Sequence, residues 1–379
     1  MFKKFNSFKN AIMETELLYK NNLIDNIYDA CTCCYDNTKE LNYLQKKEYI
    51  EKRINAGHES ILEHGRLAIL ISNINNVNMI ANITGYEFSK WLEFYTVELE
   101  DGTYNLIING SIRAYKHFIN NITNDIMEYN KIALSIVKTL INNTPKELYG
   151  NKFKLECFTN GWYNFIDVES GQDTILPYRG IHYPSITISG IPDIKTNKDC
   201  SKEIILGTEL SSTIMELTNH IMSYGFCYDI IDNIIPITVV FKNMSRTATH
   251  QLVRHRNAIT QESQRYVNAS NMLFTIPMEN YDDTKKYEIQ LFGQKSKVSL
   301  SELATEICKV YNQLLSQGLK KEEARAYLPS NINCGRLYMT FTLSSMKAFL
   351  KLRTDPHAQY EIRKYAQAIK SILTSLKII

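Results

Sequence analysis

The chain lacks any long apolar run. No stretch of its 379 residues approaches the roughly 20 apolar residues of a membrane-spanning helix, and Met1–Asn6 are not followed by the apolar core of a signal sequence. An excess of one charge is also missing, because 43 Lys and Arg stand against 40 Asp and Glu. This balance does not suit a protein that coats nucleic acid or a membrane surface. We therefore expect a cytoplasmic protein that binds neither.

Paired cysteines and a dinucleotide fingerprint are missing as well. The eight cysteines are scattered, without the spacing of a disulfide framework. No second Cys/His pair would complete a zinc site with Cys31, Cys33 and Cys34, so we expect these thiols to pack as small apolar residues in a helix, with no metal. No Gly-x-Gly-x-x-Gly follows a strand pattern, and no Cys/His arrangement suggests a cysteine nucleophile.

A dense basic segment from Ser245 to Tyr266 is what the chain does contain. Within about six helical turns' worth of sequence it holds Arg246, His250, Arg254, His255, Arg256 and Arg265. His250 and Arg254 lie four apart and are expected to share a helix face. Guanidinium groups this close repel one another unless an anionic ligand lies between them. The segment predicts an anion site, and a solvated basic helix face is the alternative.

Hydrophobic periodicity predicts an α+β fold. Apolar residues three or four apart predict helices over 24–35, 41–55 and 206–220. Apolar runs predict strands over 67–74, 106–108, 182–188 and 235–241. Short clusters of Gly, Pro, Asp and Lys between 151 and 204 indicate a connector or insertion. We therefore expect three parts, over residues 1–150, 151–204 and 205–379.

Motifs in the third part resemble those of the flavin-dependent thymidylate synthases (ThyX). Arg254-His255-Arg256 followed by Ser263-Gln264-Arg265-Tyr266 is similar to the family's signature. The segments 323–329, 349–353 and 357–363 are similar to its C-terminal part. The chain departs from the pattern in one respect. Six residues, 257–262, separate the Arg-His-Arg from the Ser, where the family usually has seven.

The first part is similar to other segments of the same family. Gly57–His64 resembles its Gly-His-Glu-Ser-x-x-Glu-His, and Asn109–Ile119 resembles a flavin-binding segment that normally follows the Arg-His-Arg. The third part has Gly225-Phe226-Cys227-Tyr228 and Thr342-Leu343-Ser344 at the corresponding places. The resemblance implies a tandem duplication into two halves, each a mixed sheet flanked by helices, with a degenerate N-terminal half. Chance similarity of the first part is the alternative.

The resemblance also implies an activity, the reductive methylation of dUMP to dTMP with FAD, NADPH and 5,10-methylenetetrahydrofolate. Because this family builds its sites from several subunits of a tetramer, a homodimer that mimics that tetramer is expected. The residues expected to bind dUMP are Gln251, Arg254, Ser263, Gln264, Arg265, Arg325 and Arg353. Those expected to bind FAD are His58, Ser60, Ser111, Arg113, His117, Arg254, His255, Arg256 and Glu262.

By its match to the family, Arg353 is the expected catalytic residue, because a guanidinium on the O4/N3 edge of uracil would stabilise the ionised form of the base. A surface salt bridge with Asp355 or Glu361 is the alternative for Arg353, and a core position is the alternative for His117. Two other functions stay open: a pyrimidine hydroxymethylase, and an inactive nucleotide- or flavin-binding regulator. Retention of Arg353 beside two candidate phosphate ligands, Arg265 and Arg325, argues against the regulator.

Overall fold

The structure is a computed structural model that describes residues 12–20, 22–35, 40–122, 130–149, 174–176, 185–189, 203–205, 210–269 and 274–379. Its strands are β1 (Glu14–Lys20), β2 (Arg66–Ile74), β3 (Glu93–Glu98), β4 (Tyr104–Ser111), β5 (Thr174–Leu176), β6 (Ser185–Ser189), β7 (Glu203–Ile205), β8 (Pro236–Lys242), β9 (Ala258–Gln261), β10 (Tyr287–Leu291), β11 (Gln294–Val298) and β12 (Arg336–Thr342). Its α-helices are α1 (Leu23–Tyr35), α2 (Tyr43–Asn55), α3 (Val77–Gly85), α4 (Ile112–Asn121), α5 (Lys131–Asn143), α6 (Leu210–Ser223), α7 (Ile230–Ile234), α8 (Arg246–Leu252), α9 (Leu300–Ser316), α10 (Lys321–Ala324), α11 (Leu343–Arg353) and α12 (Tyr360–Ser375). Short 3₁₀ turns span Glu59–His64, Glu87–Ser89, Lys146–Tyr149, Val253–His255 and Arg325–Tyr327.

The chain divides into two compact units that are not continuous in sequence. Unit 1 comprises Met1–Tyr28, Leu41–Tyr183 and Ser212–Ile234. Unit 2 comprises Asp29–Glu40, Pro184–Ser211 and Ile235–Ile379. Residues 212–234, from the second half of the sequence, therefore lie in unit 1, and residues 29–40, from the first half, lie in unit 2.

Unit 1 is built on a sheet with the strand order β3-β4-β2-β1-β5. Its neighbouring strands are antiparallel, except that β5 runs parallel to β1. Nearly every residue of β2 and β4 is buried, so these strands are covered on both faces. Helix α6 contacts this sheet at β1, where His220 Nε2 lies 2.8 Å from Glu16 Oε2. Asn105 Nδ2 also donates to the carbonyl oxygen of Tyr224, at 2.8 Å.

Unit 2 has a sheet with the order β7-β6-β8-β12-β9, in which β6 and β8 are parallel and the other neighbours antiparallel. The end of α1 packs on this sheet, since Ala30 and Cys33 form a buried cluster with Tyr338. Cys33 Sγ donates to the carbonyl oxygen of Arg336 at 3.0 Å. A second cluster around the fully buried Tyr311 connects α9 to the segment 324–332.

The two units contain the same three-stranded arrangement in the same register. In unit 1, β4 lies between β2 and β3 and runs directly into α4, which Ser111 caps. In unit 2, β12 lies between β8 and β9 and runs directly into α11, which Thr342 caps. The cap residue pairs with the first residue of the preceding inner strand in each unit, Ser111 with Arg66 and Thr342 with Pro236. The residue two before each cap pairs with the first residue of the edge strand.

The predicted α+β class is confirmed, and most predicted elements are present. The helices predicted over 24–35 and 41–55 and the strands predicted over 67–74, 106–108 and 235–241 correspond to α1, α2, β2, β4 and β8. Cys31 and Cys33 are buried in α1, as expected for packed thiols. Residues 206–209 and most of the expected connector lie outside the described residues. Within the described ranges, no helix is long and apolar enough to cross a membrane.

Candidate active site

The basic segment begins as a helix and ends in a left-handed turn. Ser245 caps α8 by accepting a hydrogen bond from the Ala248 backbone N–H at 3.2 Å. The α-helix stops at Leu252, and a 3₁₀ turn then carries Arg254 and His255. Arg256 follows with φ +50° and ψ +38°, a left-handed conformation that a residue with a Cβ adopts at a cost. The strain lies within the Arg-His-Arg motif, where the chain turns into β9.

A buried carboxylate anchors the start of α8. The fully buried Glu361 accepts hydrogen bonds from the Ser245 backbone N–H, at 2.7 Å, and from the Ser245 hydroxyl. Burial raises the pKa of this carboxyl, and the two hydrogen bonds oppose that shift. The side chain of Glu361 thus connects α8 to α12.

Two substitutions of Glu361 should distinguish the contribution of its hydrogen bonds to stability from the contribution of its charge. Glu361→Ala leaves the Ser245 donors without an acceptor and should lower the free energy of unfolding by about 2–4 kcal/mol. Glu361→Gln keeps an acceptor and should cost less than about 1 kcal/mol. Urea unfolding of the wild type and both variants at pH 7 measures these differences. Equal losses in both variants would contradict the role of the hydrogen bonds.

The raised pKa of Glu361 also predicts a pH dependence. The folded chain holds this proton more tightly than the unfolded chain, whose carboxyl titrates near the ordinary 4.5. The stabilisation is therefore full below that value and is lost as the pH rises through the raised pKa. We therefore expect the free energy of unfolding of Glu361→Gln, relative to that of the wild type, to be higher at pH 8 than at pH 5. An unchanged difference would contradict the shift.

Arg353, the last residue of α11, lies against the Arg-His-Arg turn. Its Nε donates to His255 Nε2 at 3.0 Å, and its Nη1 donates to Gln251 Oε1 at 3.4 Å. Because His255 Nε2 accepts, the imidazole is neutral with its proton on Nδ1. Burial, and then the neighbouring Arg353, lower the pKa of His255, which is consistent with that state. The ring also packs edge-on against Phe349, with centroids 5.0 Å apart.

Neither salt bridge considered for Arg353 forms. The Asp355 carboxylate accepts from the His357 backbone N–H at 2.8 Å and lies 2.9 Å from the His357 ring. Glu361 is held by Ser245. No described carboxylate forms an ion pair with Arg353, whereas burial and the nearby Arg254 both lower the pKa of its guanidinium. A partly buried cation beside a second cation is an arrangement that an anionic ligand would stabilise.

Three more of the predicted arginines have side chains available to a ligand. Arg254 and Arg256 are exposed and Arg325 is half-buried, and none of them forms a side-chain hydrogen bond or ion pair with a residue that the structure describes. Arg265 differs, since its Nε lies 3.4 Å from Glu322 Oε2 and its guanidinium lies over the ring of Tyr266. That ion pair is half-exposed and weak.

The residues before Arg265 are more enclosed. Gln264 is buried, and its Nε2 has no hydrogen-bond partner among the described residues. The Ser263 hydroxyl accepts from the Arg265 backbone N–H at 3.3 Å. Glu262 is buried, and its carboxylate lies so close to Gly335 that a Cβ there would overlap it. Gly335, which has φ +61°, is a contribution to the site that sequence analysis missed.

The predicted flavin residues of the first half all lie in unit 1. Ser60 is exposed within the 3₁₀ turn that precedes β2, and His58 is exposed just before that turn. The Ser111 hydroxyl caps α4 by accepting from the Ala114 backbone N–H, and Arg113 forms an ion pair with Glu63. His117 is half-buried on α4, so its position does not decide between a ligand and a core role.

A further ion pair joins the two family-like segments within unit 1. Lys116 Nζ lies 2.7 Å from Glu59 Oε1. Sequence analysis missed this lysine, although its spacing from Arg113 places both on adjacent turns of α4. His64 is fully buried, and burial lowers its pKa to about 3, so it is a neutral core histidine.

Comparison with known proteins finds related sequences for part of the chain. Residues 191–376 match the model of a family described as "Thymidylate synthase complementing protein". The chain is 36% identical over 147 residues to a flavin-dependent thymidylate synthase of Pyrococcus abyssi, an alignment that covers 38% of this chain and 56% of the relative.

Two further flavin-dependent thymidylate synthases have similar alignments. The one from Thermotoga neapolitana is 35% identical over 123 residues, covering 32% of this chain and 54% of the relative. The one from Clostridium tetani is 29% identical over 167 residues, covering 42% and 65%. The chain thus spans little more than half the length of the first of these thymidylate synthases.

Proposed function

We propose that the protein converts dUMP to dTMP by FAD-dependent reductive methylation, with NADPH and 5,10-methylenetetrahydrofolate as co-substrates. The observation that carries the proposal is Arg353. Its guanidinium has no carboxylate partner among the described residues and is oriented by two neutral acceptors, His255 and Gln251. Such an arrangement leaves the positive charge available to a ligand that becomes anionic.

The side chains of unit 2 fit a phosphate-bearing ligand. The guanidinium groups of Arg254, Arg256 and Arg325 have no described partner, and the buried Gln264 Nε2 is an unused donor. All four are donors, and Arg in particular suits bidentate binding of phosphate. Arg325, Ser263, Gln264 and Arg265 would hold the dUMP phosphate. Arg254, His255 and Arg256 would hold the flavin pyrophosphate, with Glu262 near the base or the flavin ring.

Arg353 would then activate the base. Carbon transfer requires C5 of uracil to become nucleophilic, which happens when N3 is ionised and O4 gains charge. A guanidinium on that edge stabilises the charge as it develops. Because His255 is neutral, it orients the guanidinium without neutralising its positive charge. Flavin, when bound, supplies the hydride that reduces the transferred carbon to a methyl group.

The proposal includes a tandem origin with divided labour between the two halves. The shared register of β2-β4-β3 and β8-β12-β9 supports it. In unit 1, only residues 99–103 separate β3 from β4, whereas residues 262–335 separate β9 from β12. That longer connection carries Glu262, Ser263, Gln264, Arg265 and Arg325. The connection between β3 and β4 thus has no counterpart of the dUMP phosphate residues, whereas unit 1 retains the segments with His58, Ser60, Ser111, Arg113 and His117.

A pyrimidine hydroxymethylase would use the same base activation, but the similarity to flavin-dependent thymidylate synthases does not favour it. Such an enzyme would transfer the carbon and omit the hydride, so it would need neither NADPH nor flavin reduction.

Flavin chemistry provides the first test of the proposed function. The purified protein should release FAD on denaturation, and NADPH should bleach the flavin absorbance of the native protein under anaerobic conditions. A colourless protein that takes up no added FAD would contradict the proposal.

Arg325→Ala should mainly weaken dUMP binding. Phosphate contacts are made equally in the ground state and in the transition state, so their loss raises KM and leaves kcat nearly unchanged. We expect KM for dUMP to rise roughly tenfold or more, the scale of one charge-assisted hydrogen bond. Steady-state kinetics with varied dUMP measures both constants. A fall in kcat at unchanged KM would show that Arg325 has another role.

We also expect two chains to associate, because each chain carries one Arg-His-Arg motif and the family shares sites between subunits. The dimer would have two active sites. Sedimentation velocity over a hundredfold range of concentration, with activity measured in parallel, tests this expectation. An active monomer throughout that range would contradict it.

A further inference from the structure

Gln359 has no role in the site assigned above, yet it contacts one of the residues that orient Arg353. Its side-chain oxygen accepts a hydrogen bond from Nε2 of Gln251. The opposite end of the same amide, Gln251 Oε1, accepts from Arg353 Nη1 at 3.4 Å. Gln359 and Arg353 are therefore connected through a single amide group.

The chemistry of the three groups fixes the direction of this chain of hydrogen bonds. A guanidinium can only donate, so Gln251 must present its oxygen to Arg353. The NH₂ of Gln251 then needs an acceptor, and the oxygen of Gln359 supplies it. Without Gln359 the Gln251 amide could rotate by half a turn and present its NH₂ to the guanidinium. Two donors would then face each other, and Arg353 would lose this contact.

The position of Gln359 in the fold supports a role beyond stability. It occupies the N-cap of the 16-residue α12 and forms no side-chain capping bond. In the same unit, Ser299 and Thr342 cap α9 and α11 with side-chain hydrogen bonds. Ser, Thr, Asp or Asn would stabilise α12 better than Gln at this position. The side chain is instead directed to Gln251.

We propose that Gln359 is a positioning residue, which fixes the Gln251 amide so that Arg353 is held in the orientation it needs against the base. The proposal rests on the proposed function, since it concerns the efficiency of base activation. It assigns to the residue an effect on turnover that is independent of its effect on helix stability.

Two substitutions separate these effects. Gln359→Met removes the amide at similar size, and Gln359→Ser removes it while adding a capping hydroxyl. Both should lower kcat by roughly tenfold, the scale of one hydrogen bond to a charged group, with KM for dUMP changed by less than about threefold. Gln359→Ser should raise Tm, because the cap stabilises α12. A purely structural role would instead move kcat and Tm in the same direction, which would overturn the proposal.

A double-mutant cycle tests the connection through Gln251. In a Gln251→Leu background, Gln359→Met should cause no further loss of kcat, because the amide it positions is gone. Losses that multiply would overturn the proposal. Gln367→Met on the same helix is the matched control, since Gln367 forms no hydrogen bond with a described residue, and it should keep wild-type kcat.

Failure of the proposed function would be visible separately, as wild-type protein without dTMP formation. In that case a crystal structure of Gln359→Met still decides the positioning role. A displaced or rotated Gln251 amide that has lost the Arg353 contact would support it. An unchanged Gln251–Arg353 contact would overturn it.

Discussion

Arg353→Ala is expected to lower kcat by about 10²–10³-fold, the scale of losing one preorganised donor to a developing oxyanion. The guanidinium is already oriented by His255 and Gln251 and has no carboxylate partner among the described residues. It can therefore act on charge that appears only in the transition state. Such a contact contributes to kcat more than to KM.

Steady-state kinetics at saturating dUMP, with bound FAD determined for each sample, measures this effect. Lys351→Ala is the matched control, because Lys351 is an exposed cation on the same helix. The control should keep wild-type turnover, and both variants should keep their flavin. Near-wild-type kcat for Arg353→Ala would mean that Arg353 does not activate the base.

Arg113→Ala is expected to weaken FAD binding by about 10–100-fold, the scale of one charge-assisted hydrogen bond to a phosphate. The expectation follows from the proposed division of labour, in which unit 1 contributes to flavin binding although it lacks an Arg-His-Arg motif. Arg113 is half-exposed and is held by Glu63. This ion pair leaves guanidinium donors of Arg113 available to a ligand.

Titration of apoprotein with FAD, followed by flavin fluorescence, measures the affinity. Lys90→Ala is the control, because Lys90 is also an exposed cation of unit 1, paired with Glu87 outside the family-like segments. The control should bind FAD like the wild type. Unchanged affinity in Arg113→Ala would remove the main support for a contribution from the first half.

The sequence predicts those elements whose residues carry a clear period. The apolar run over 235–241 before the basic segment predicts β8. Strand β1 was missed, because it begins with the polar residues Glu14, Thr15 and Glu16, so that no apolar run marks it, although Thr15 and Glu16 are buried. The pairing of α6 with the sheet of unit 1 was also not predictable. An amphipathic helix does not specify in its own sequence which sheet it will cover.

The sequence likewise predicts some residues of the candidate site but not the contacts between them. Resemblance to the ThyX motifs identifies Arg254, His255 and Arg353, but the hydrogen bond from Arg353 to His255 joins residues 98 positions apart. It also depends on which imidazole nitrogen is protonated, a property that no motif encodes. Gln359 is similar in this respect, because its role depends on the orientation of a neighbouring amide. The contribution of Gly335 could be recognised only in the structure, where the Glu262 carboxylate fills the space that a Cβ at position 335 would occupy.

The mass of the product formed from dUMP tests the central claim most directly. The purified protein, supplied with FAD and 5,10-methylenetetrahydrofolate, should form dTMP when NADPH is present and should form none when NADPH is omitted. A product that carries a hydroxymethyl group, formed equally with and without NADPH, would identify the hydroxymethylase instead. Recovery of unchanged dUMP from FAD-loaded protein under both conditions would contradict the proposed activity altogether.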